Sequence, residues 1–375
     1  MGVNTGLKLP LYQRSDVSPL KVEYLSVKKV LKLIGANSGL EIAHFKATTN
    51  RYFQGPAGMF CWQSSVVSWL REFDPDVLII EANPRILSNW LAIWWMKRRQ
   101  RPVLGWGLGE LPRYGPSWLC HARRMIFRSL VHSMDGMIAY SSKAARDYVA
   151  AGVPDDRVFI AYNATDNEES EHYLAQFGSD TAWIKSWKES LQFDPSLPIV
   201  LYVGRLIPPK KVGLLIQACA PLFDRCQLLV VGDGPLRAEL ESQALPYGRR
   251  IRFVGYQSGA ALAQSFIASD IFVLPGLGGL AVHQAMSYGK PVVASFGDGT
   301  EADLVREGVN GLFFHPGDMA GLRERIAKLV AQPLLRQAMG QASLAIVRHE
   351  ISIEAMVDAF NRALAAVTNR ALQVR

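Results

Sequence analysis

Short apolar runs alternate with helical patterns throughout the second half of the chain, and this alternation limits the possible folds more than any other feature. The runs are rich in β-branched residues and continuously apolar: PIVLYVG (198–204), QLLVVG (227–232), IRFVG (251–255), DIFVLP (270–275), PVVAS (291–295) and GLFF (311–314). Strands that alternate with helices pair in parallel through right-handed crossovers. Continuously apolar strands are covered on both faces of their sheet. The second half therefore predicts a Rossmann-like, doubly wound α/β domain.

The first half shows the same alternation less regularly. Its strand-like runs are VLIIE (77–81), PVLGWG (102–107), GMIAYS (136–141) and RVFIAYN (157–163), with helical patterns between them. Residues 1–60 give weak signals, with strands expected at KVEYLSV and LEIAHF. We predict an N-terminal Rossmann-like domain over 1–165, a connection over 166–195, a C-terminal domain over 196–350 and a terminal helical segment over 351–375.

Composition narrows the class of protein. The chain has 375 residues, enough for two domains with their own cores, and its net charge of +8 favours anionic partners without choosing among them. No run approaches the roughly 18 apolar residues that span a bilayer. The N-terminus has no signal-peptide pattern, and the four cysteines form no C-x-x-C pair. These features predict a cytoplasmic protein with reduced thiols.

Two cations flank the loop that follows the strand at 198–204. Arg205 comes directly after Gly204, and Lys211 stands six residues later at a predicted helix start. Ligands of open α/β sheets bind beyond the carboxyl ends of the strands, and a cation on each side of such a loop fits a diphosphate. An exposed basic loop is the alternative.

Glycine-rich turns follow two other strands of the same domain. Gly276, Gly278 and Gly279 open a helix near Leu280, and a second turn, GDG, follows the strand at 227–232. Glycines let a phosphate approach the backbone, where the N–H groups of a helix start attract it. Ordinary tight turns are the alternative for each motif alone.

Taken together and in this order, the motifs resemble the C-terminal domain of glycosyltransferase family four, which has the GT-B fold. The resemblance covers roughly residues 135–368 and includes GRLIPPKKV (204–212), PGLGGLAVHQAMSYGKPVV (275–293) and the join AYNATD (161–166). It implies two Rossmann-like domains facing each other across a cleft, a terminal helix that crosses back to the N-terminal domain, and retaining transfer from a nucleotide-sugar donor. It implies that Arg205 and Lys211 contact the donor diphosphate and stabilise its leaving charge. The donor side would comprise Gly204, Gly232, Gly234, Val254, Gly276, Gly278, Gly279, Leu280 and Gln284.

The sequence departs from the family pattern in three places, one of which is that no glycine-rich turn follows the first strand. Gly276 and Gln284 occupy the positions of two glutamates, and Leu108 stands where many relatives carry a histidine. Gln284 keeps the ability to hydrogen-bond a ribose hydroxyl as a neutral amide.

The loop GWGLGE (105–110) is predicted to line the acceptor side, through Gly107, Gly109 and Glu110. A solvated carboxylate is the alternative for Glu110. Asp74 and Asp76 precede a strand and so lie at the wrong end of the sheet for a metal site. No histidine has ligand spacing, and we predict neither a metal nor a cofactor.

A segment rich in tryptophan and cations, LSNWLAIWWMKRRQR (87–101), admits two interpretations. Interfacial membrane helices combine Trp90, Trp94 and Trp95 with basic residues in this way. The preferred alternative is a buried crossover helix whose basic end complements the helix dipole.

The resemblance implies a metal-independent, hexosyltransferase-like enzyme of polysaccharide or cell-envelope glycan synthesis. It would move a sugar from a nucleotide-diphosphate sugar to a glycan, lipid-linked or other hydroxyl acceptor, in the cytoplasm or peripherally on the inner face of the cytoplasmic membrane. Nucleic acid is not expected as a partner. The rival functions are a nucleotide-sugar epimerase of the same fold and a non-catalytic, membrane-associated scaffold.

Overall fold

The protein is described from a computed structural model. The described residues are 50–55, 58–110, 117–165, 167–178, 180–297 and 299–373. The two weak strands expected before residue 50 lie outside this part of the chain.

Parallel strands and connecting helices make up most of the described chain. The strands are β1 Asn50–Gly55, β2 Gly58–Gln63, β3 Leu78–Glu81, β4 Val103–Gly107, β5 Gly136–Ala139, β6 Val158–Ile160, β7 Ile199–Val203, β8 Gln227–Val231, β9 Ile251–Phe253, β10 Ile271–Leu274, β11 Val292–Ser295 and β12 Gly311–Phe314. The helices are α1 Val66–Phe73, α2 Leu87–Lys97, α3 Ser117–His132, α4 Ser142–Ala150, α5 Asn167–Phe177, α6 Thr181–Ser190, α7 Val212–Cys219, α8 Arg237–Ala244, α9 Gly259–Ile267, α10 Leu280–Ser287, α11 Glu301–Leu304, α12 Met319–Ala331, α13 Pro333–His349 and α14 Ile353–Gln373.

The chain divides into two compact units. The first comprises Met1–Tyr162 with Glu354–Arg375, and the second comprises Asn163–Ile353. The segment predicted as a connection, 166–195, contains helices α5 and α6 and is counted within the second unit.

The first unit is built on a parallel sheet of order β3-β4-β5-β6. One face packs against helices α1 to α4, in a core that includes Leu70, Met96, Leu130 and Tyr148. The other face packs against α14, through side chains that share one stripe of that helix: Met356, Val357, Ala359, Phe360, Ala363, Leu364 and Val367. The C-terminal helix is therefore part of the core of the first unit. An antiparallel hairpin of β1 and β2 precedes this sheet in the described chain.

The second unit contains the six strands predicted from the sequence. They form one parallel sheet of order β12-β11-β10-β7-β8-β9. The strands of this sheet are almost entirely buried, as their continuously apolar sequences require. Strand β7 lies between β8 and β10, so the loops after these three strands emerge side by side at one edge.

Candidate functional site

Three loops come together at the carboxyl edge of the second sheet. The loop after β7 is central. Its Leu206 N–H donates to the Asp233 carbonyl in the loop after β8 (2.9 Å). On the other side, the Leu277 N–H in the loop after β10 donates to the Pro209 carbonyl of the β7 loop (3.1 Å). The loops that carry the basic and glycine-rich motifs are therefore neighbours in the structure.

The glycines in these loops allow neighbouring backbones to touch. A Cβ atom added to Gly232 would lie 1.9 Å from the Gly204 carbonyl oxygen, and one added to Gly276 would lie 2.2 Å from the Pro209 carbonyl oxygen. A Cβ atom on Gly234 would lie 2.5 Å from the Leu206 carbonyl oxygen. Sequence reasoning assigned these glycines to the approach of a phosphate, and the structure adds loop-to-loop contact as a second reason for them.

The cations of the loop after β7 differ in exposure and in the direction of their side chains. The side chains of Arg205 and Lys211 are exposed. Lys211 has a left-handed backbone (φ 51°) at the start of α7, which few non-glycine residues adopt. The half-buried Lys210 extends toward the glycine-rich loop, where its Nζ atom lies 2.9 Å from the position of a Cβ on Gly278.

Lys210 is thus a cation of the site that sequence reasoning missed. It stands beside Lys211 in the pair that follows Pro209, and the sequence pattern alone did not show which of the two lysines reaches the glycines. The turn Pro208–Lys210 decides this, because it directs Lys210 inward before the chain enters α7.

Helix α10 starts at the end of the glycine-rich loop. Gly279 is its N-terminal boundary and packs against the β11–α11 loop, since a Cβ on Gly279 would lie 2.8 Å from Thr300 Oγ1. Gln284 is half-buried one turn into the helix, as its spacing predicts. Val254 is half-buried after β9, and the next residue, Gly255, accepts a hydrogen bond from the Gly232 N–H (2.8 Å).

The predicted acceptor loop lies at the corresponding edge of the first sheet. Helix α4 holds it through side chains: the Gly109 N–H donates to the Tyr148 hydroxyl (3.2 Å) and the Glu110 N–H donates to Asp147 Oδ2 (3.1 Å). Burial raises the pKa of Tyr148, which keeps this hydroxyl neutral. Gly107 is buried next to the same hydroxyl, and Leu108 is half-buried. Residues 111–116 lie outside the described chain.

Two further polar groups at this edge were missed in the sequence. Glu81 is exposed at the carboxyl end of β3, where it pairs in register with Trp106 of β4. Its carboxylate accepts a hydrogen bond from Asn83 Nδ2 (3.1 Å). The indole Nε1 of Trp106 is buried and has no hydrogen-bond partner within the described chain. A carboxylate that ends an apolar strand, as in VLIIE, is the signal that identifies Glu81.

The tryptophan-rich helix α2 is mainly a core element. Trp95 is buried and Trp90 is half-buried, whereas Trp94 is exposed. The Arg98 guanidinium lies 4.6 Å from the centroid of the Trp94 ring. No helix in the described ranges is long and apolar enough to cross a membrane. Among the same residues, no cluster of three or more His, Cys, Asp or Glu side chains could hold a metal ion.

Solved structures share this architecture. The Anabaena protein HepE in complex with UDP and glucose superimposes with a TM-score of 0.70 at 17% identity, over 96% of this chain and 99% of that one. Sucrose-phosphate synthase from Thermosynechococcus elongatus gives a TM-score of 0.67 at 19% identity, over 98% and 97% of the two chains. The two parallel α/β units therefore have the GT-B fold.

Sequence comparison identifies the family. Residues 37–164 match the glycosyl transferase 4-like domain, and residues 184–345 match glycosyl transferases group 1. The chain belongs to the family-four type of GT-B glycosyltransferases, as the motifs predicted.

Its relatives include the sulfoquinovosyl transferase SQD2 of Arabidopsis thaliana, 30% identical over 302 residues, which are 78% of this chain and 57% of that protein. Another is the phosphatidyl-myo-inositol mannosyltransferase of Mycobacterium leprae, 33% identical over 40% of this chain and 41% of that protein. The chain spans about half the length of the curated relatives it matches.

Proposed function

We propose that this protein is a retaining glycosyltransferase that moves a sugar from a nucleoside-diphosphate sugar to a hydroxyl group of a glycan or a lipid-linked acceptor. One observation carries the proposal: Arg205, Lys210 and the start of α10 belong to loops that touch at one edge of the second sheet. Cations and helix N–H groups together are suited to a diphosphate.

The chemistry of the site follows from this charge arrangement. As the bond between the sugar and the diphosphate breaks, negative charge grows on the leaving oxygens. Arg205, Lys210 and the first N–H groups of α10 would stabilise that charge, and fixed cations and dipoles of this kind are a large contribution to catalysis. We include Lys211 as a more exposed cation of the same loop. Gln284 would hydrogen-bond the donor ribose.

Named relatives support the choice of donor and acceptor. HepE has been crystallised with UDP, with UDP and glucose, and with UDP-glucose. The Mycobacterium leprae relative is named for a phospholipid acceptor. We therefore propose a UDP-linked donor and a lipid-linked or polysaccharide acceptor, as in glycolipid or cell-envelope synthesis.

The same proposal includes contact with the inner face of the cytoplasmic membrane, and α3 is better suited to it than α2. Trp118, Met125 and Ile126 of α3 are exposed by 70%, 54% and 49%. The helix also carries Arg123, Arg124 and Arg128 and no acidic residue. Apolar side chains beside cations favour an anionic lipid surface.

Vesicle binding tests the membrane contact. We expect the protein to bind vesicles that contain anionic phosphatidylglycerol, and Trp118→Ser with Met125→Ser to weaken that binding by about tenfold through lost apolar burial. Leu334→Ser, which changes an 82% exposed leucine of the second unit, is the matched control. Equal binding by all three proteins would exclude α3 as the contact.

Nucleotide binding and turnover test the donor site. A screen of nucleoside diphosphates by thermal shift should identify one that stabilises the protein, and UDP is expected. Lys210→Ala should weaken its binding by about 1.5 to 3 kcal/mol, the range for a hydrogen bond to a charged group. Lys328→Ala, at an exposed lysine of α12, should leave it unchanged. Equal affinities of these two variants would contradict the assignment of Lys210.

The product distinguishes the rival functions. A transferase passes the sugar to an acceptor or to water, with retention of the anomeric configuration. An epimerase returns an altered sugar without an acceptor, and a non-catalytic scaffold does neither.

A further inference from the structure

The histidine one residue before Gln284 is not among the proposed donor contacts. His283 lies in α10 and is fully buried (0% exposed). Its Nε2 atom is 2.6 Å from the Ile351 carbonyl oxygen, and its Nδ1 atom is 2.8 Å from Thr165 Oγ1 and 3.3 Å from the Thr165 backbone nitrogen. Both ring nitrogens are therefore engaged.

These contacts define the form of the ring. A carbonyl oxygen only accepts, so Nε2 carries the proton and donates to Ile351, which leaves Nδ1 to accept from Thr165. Burial lowers the pKa of His283 to about 4, so the imidazole is neutral at physiological pH. A neutral ring with one donor and one acceptor satisfies all of these partners at once.

The two partners of His283 lie where the chain leaves the second unit. The chain passes between the units at Tyr162–Asn163 and again at Ile353–Glu354. Thr165 and Ile351 are each within three residues of one of these points. His283 therefore joins both exit segments, which we define as 163–165 and 351–353, to the helix that begins at the glycine-rich loop.

A second polar chain on the same helix strengthens the connection. Ser287, one turn after His283, donates to Asn167 Oδ1 (3.1 Å), and Asn167 Nδ2 donates to the Val347 carbonyl (3.0 Å). Asn167 lies just beyond the first exit segment, so these hydrogen bonds connect one face of α10 to that part of the chain. The same asparagine connects α10 to the end of α13. Buried networks of this kind, when every member is satisfied, favour one arrangement over others.

We propose that His283 is a positioning residue for glycosyl transfer: it fixes α10, and with it the donor site, to both exit segments at once. This inference rests on the proposed function for its effect on turnover. Under the proposed function, the donor contacts belong to the second unit and the candidate acceptor loop belongs to the first, so nucleotide binding would need the second unit alone and transfer would need both. Loss of the link should therefore lower kcat and leave the affinity for the nucleotide unchanged.

Thr165 offers the least disruptive variants. Thr165→Val removes the hydroxyl that bonds His283 Nδ1, whereas Thr165→Ser keeps it. We expect Thr165→Val to lower kcat by about fivefold, as for one lost hydrogen bond, with the Kd for UDP unchanged, and Thr165→Ser to restore wild-type kcat. Ser343→Ala is the control, because it removes a buried hydroxyl that donates to the Lys290 carbonyl (2.9 Å) without touching either exit segment. A parallel loss of UDP affinity and kcat in Thr165→Val, or no loss of either, would overturn the proposal.

Hydrogen exchange tests the link without turnover. We expect saturating UDP to slow amide exchange at both exit segments of the wild-type protein, and Thr165→Val to lose that effect at 163–165. Unchanged exchange at both segments of the wild type overturns the inference. A wild-type protein that shows the protection yet transfers no sugar would contradict the proposed function alone.

Discussion

The two units use the same kind of parallel sheet but hold their edge loops by different means. In the second unit, the loops after β7, β8 and β10 are joined backbone to backbone, at distances that only glycine permits. In the first unit, the loop after β4 is held by the side chains of Tyr148 and Asp147. Backbone contacts fix a shape for any sequence that keeps the glycines, whereas side-chain contacts change with each substitution. The first device therefore suits a site of fixed shape, and the second suits a loop whose shape varies with its sequence.

The units also differ in how their sheets are covered. Helices within 163–353 cover the second sheet, whereas one face of the first sheet depends on α14 from the far end of the chain.

Removing α14 should have the largest effect. A chain that ends at Ile353, and so keeps the whole second unit, would expose the face of β3, β4 and β5 that carries Ile79, Leu104 and Ile138. We expect calorimetry to show loss of the unfolding transition of the first unit, with UDP binding by the second unit retained. Phe360→Ala is a milder version, with an expected cost of about 3 to 5 kcal/mol. An unchanged melting temperature and rate after truncation would show that the helix is dispensable.

The glycine contacts predict the next effect. Gly232→Ala places a Cβ atom against the Gly204 carbonyl, and we expect a loss of about 3 kcal/mol of stability together with loss of UDP binding. Gly308→Ala is the control, because Gly308 also has a positive φ (75°) but has no neighbouring atom within 4 Å of its Cβ position. That control should cost about 1 to 2 kcal/mol, the price of the left-handed backbone, and leave binding intact. Similar losses of binding in both variants would contradict the role of loop contact.

Acid should destabilise the second unit through His283. Its pKa is about 4 in the folded state, against an ordinary value of 6.5. The unfolded chain therefore binds more protons between these values, and the free energy of unfolding falls as the pH falls from about 6.5 to about 4. The total contribution is roughly 3 kcal/mol. Urea titrations at several pH values should show this slope in the wild type and a smaller one in His283→Leu. Equal slopes would show that His283 does not remain neutral in the fold.

Gln284 should give the smallest effect. Gln284→Ala removes one neutral hydrogen bond to the proposed donor ribose, at a cost of about 1 kcal/mol in UDP affinity. Calorimetric titration with UDP measures the loss, and a deoxyribose analogue should bind both proteins equally if that hydroxyl is the partner. An unchanged Kd in Gln284→Ala would remove Gln284 from the site.

Much of the second unit was predictable because its signals are local. Continuous apolar runs in the order of strands and helices specify a buried parallel sheet, and the loops that follow adjacent strands must meet at one edge. Arg205, the glycines of the loop after β10 and the position of Gln284 follow from that rule. The role of Lys210 does not follow from that rule. The direction of a side chain in a turn depends on dihedral angles, and the sequence PPKK (208–211) does not specify them.

The sequence by itself determined the βα alternation, the six strands of the second sheet and the family resemblance, since each rests on short-range patterns of polarity and spacing. The tertiary structure decided which residues far apart in the chain touch. It placed α14 on the sheet of the first unit, Lys210 against Gly278, and His283 between Thr165 and Ile351. A lone buried histidine has no periodic signature, and its two partners are 118 and 68 residues away. Only the packing of the complete chain brings those groups within hydrogen-bond distance.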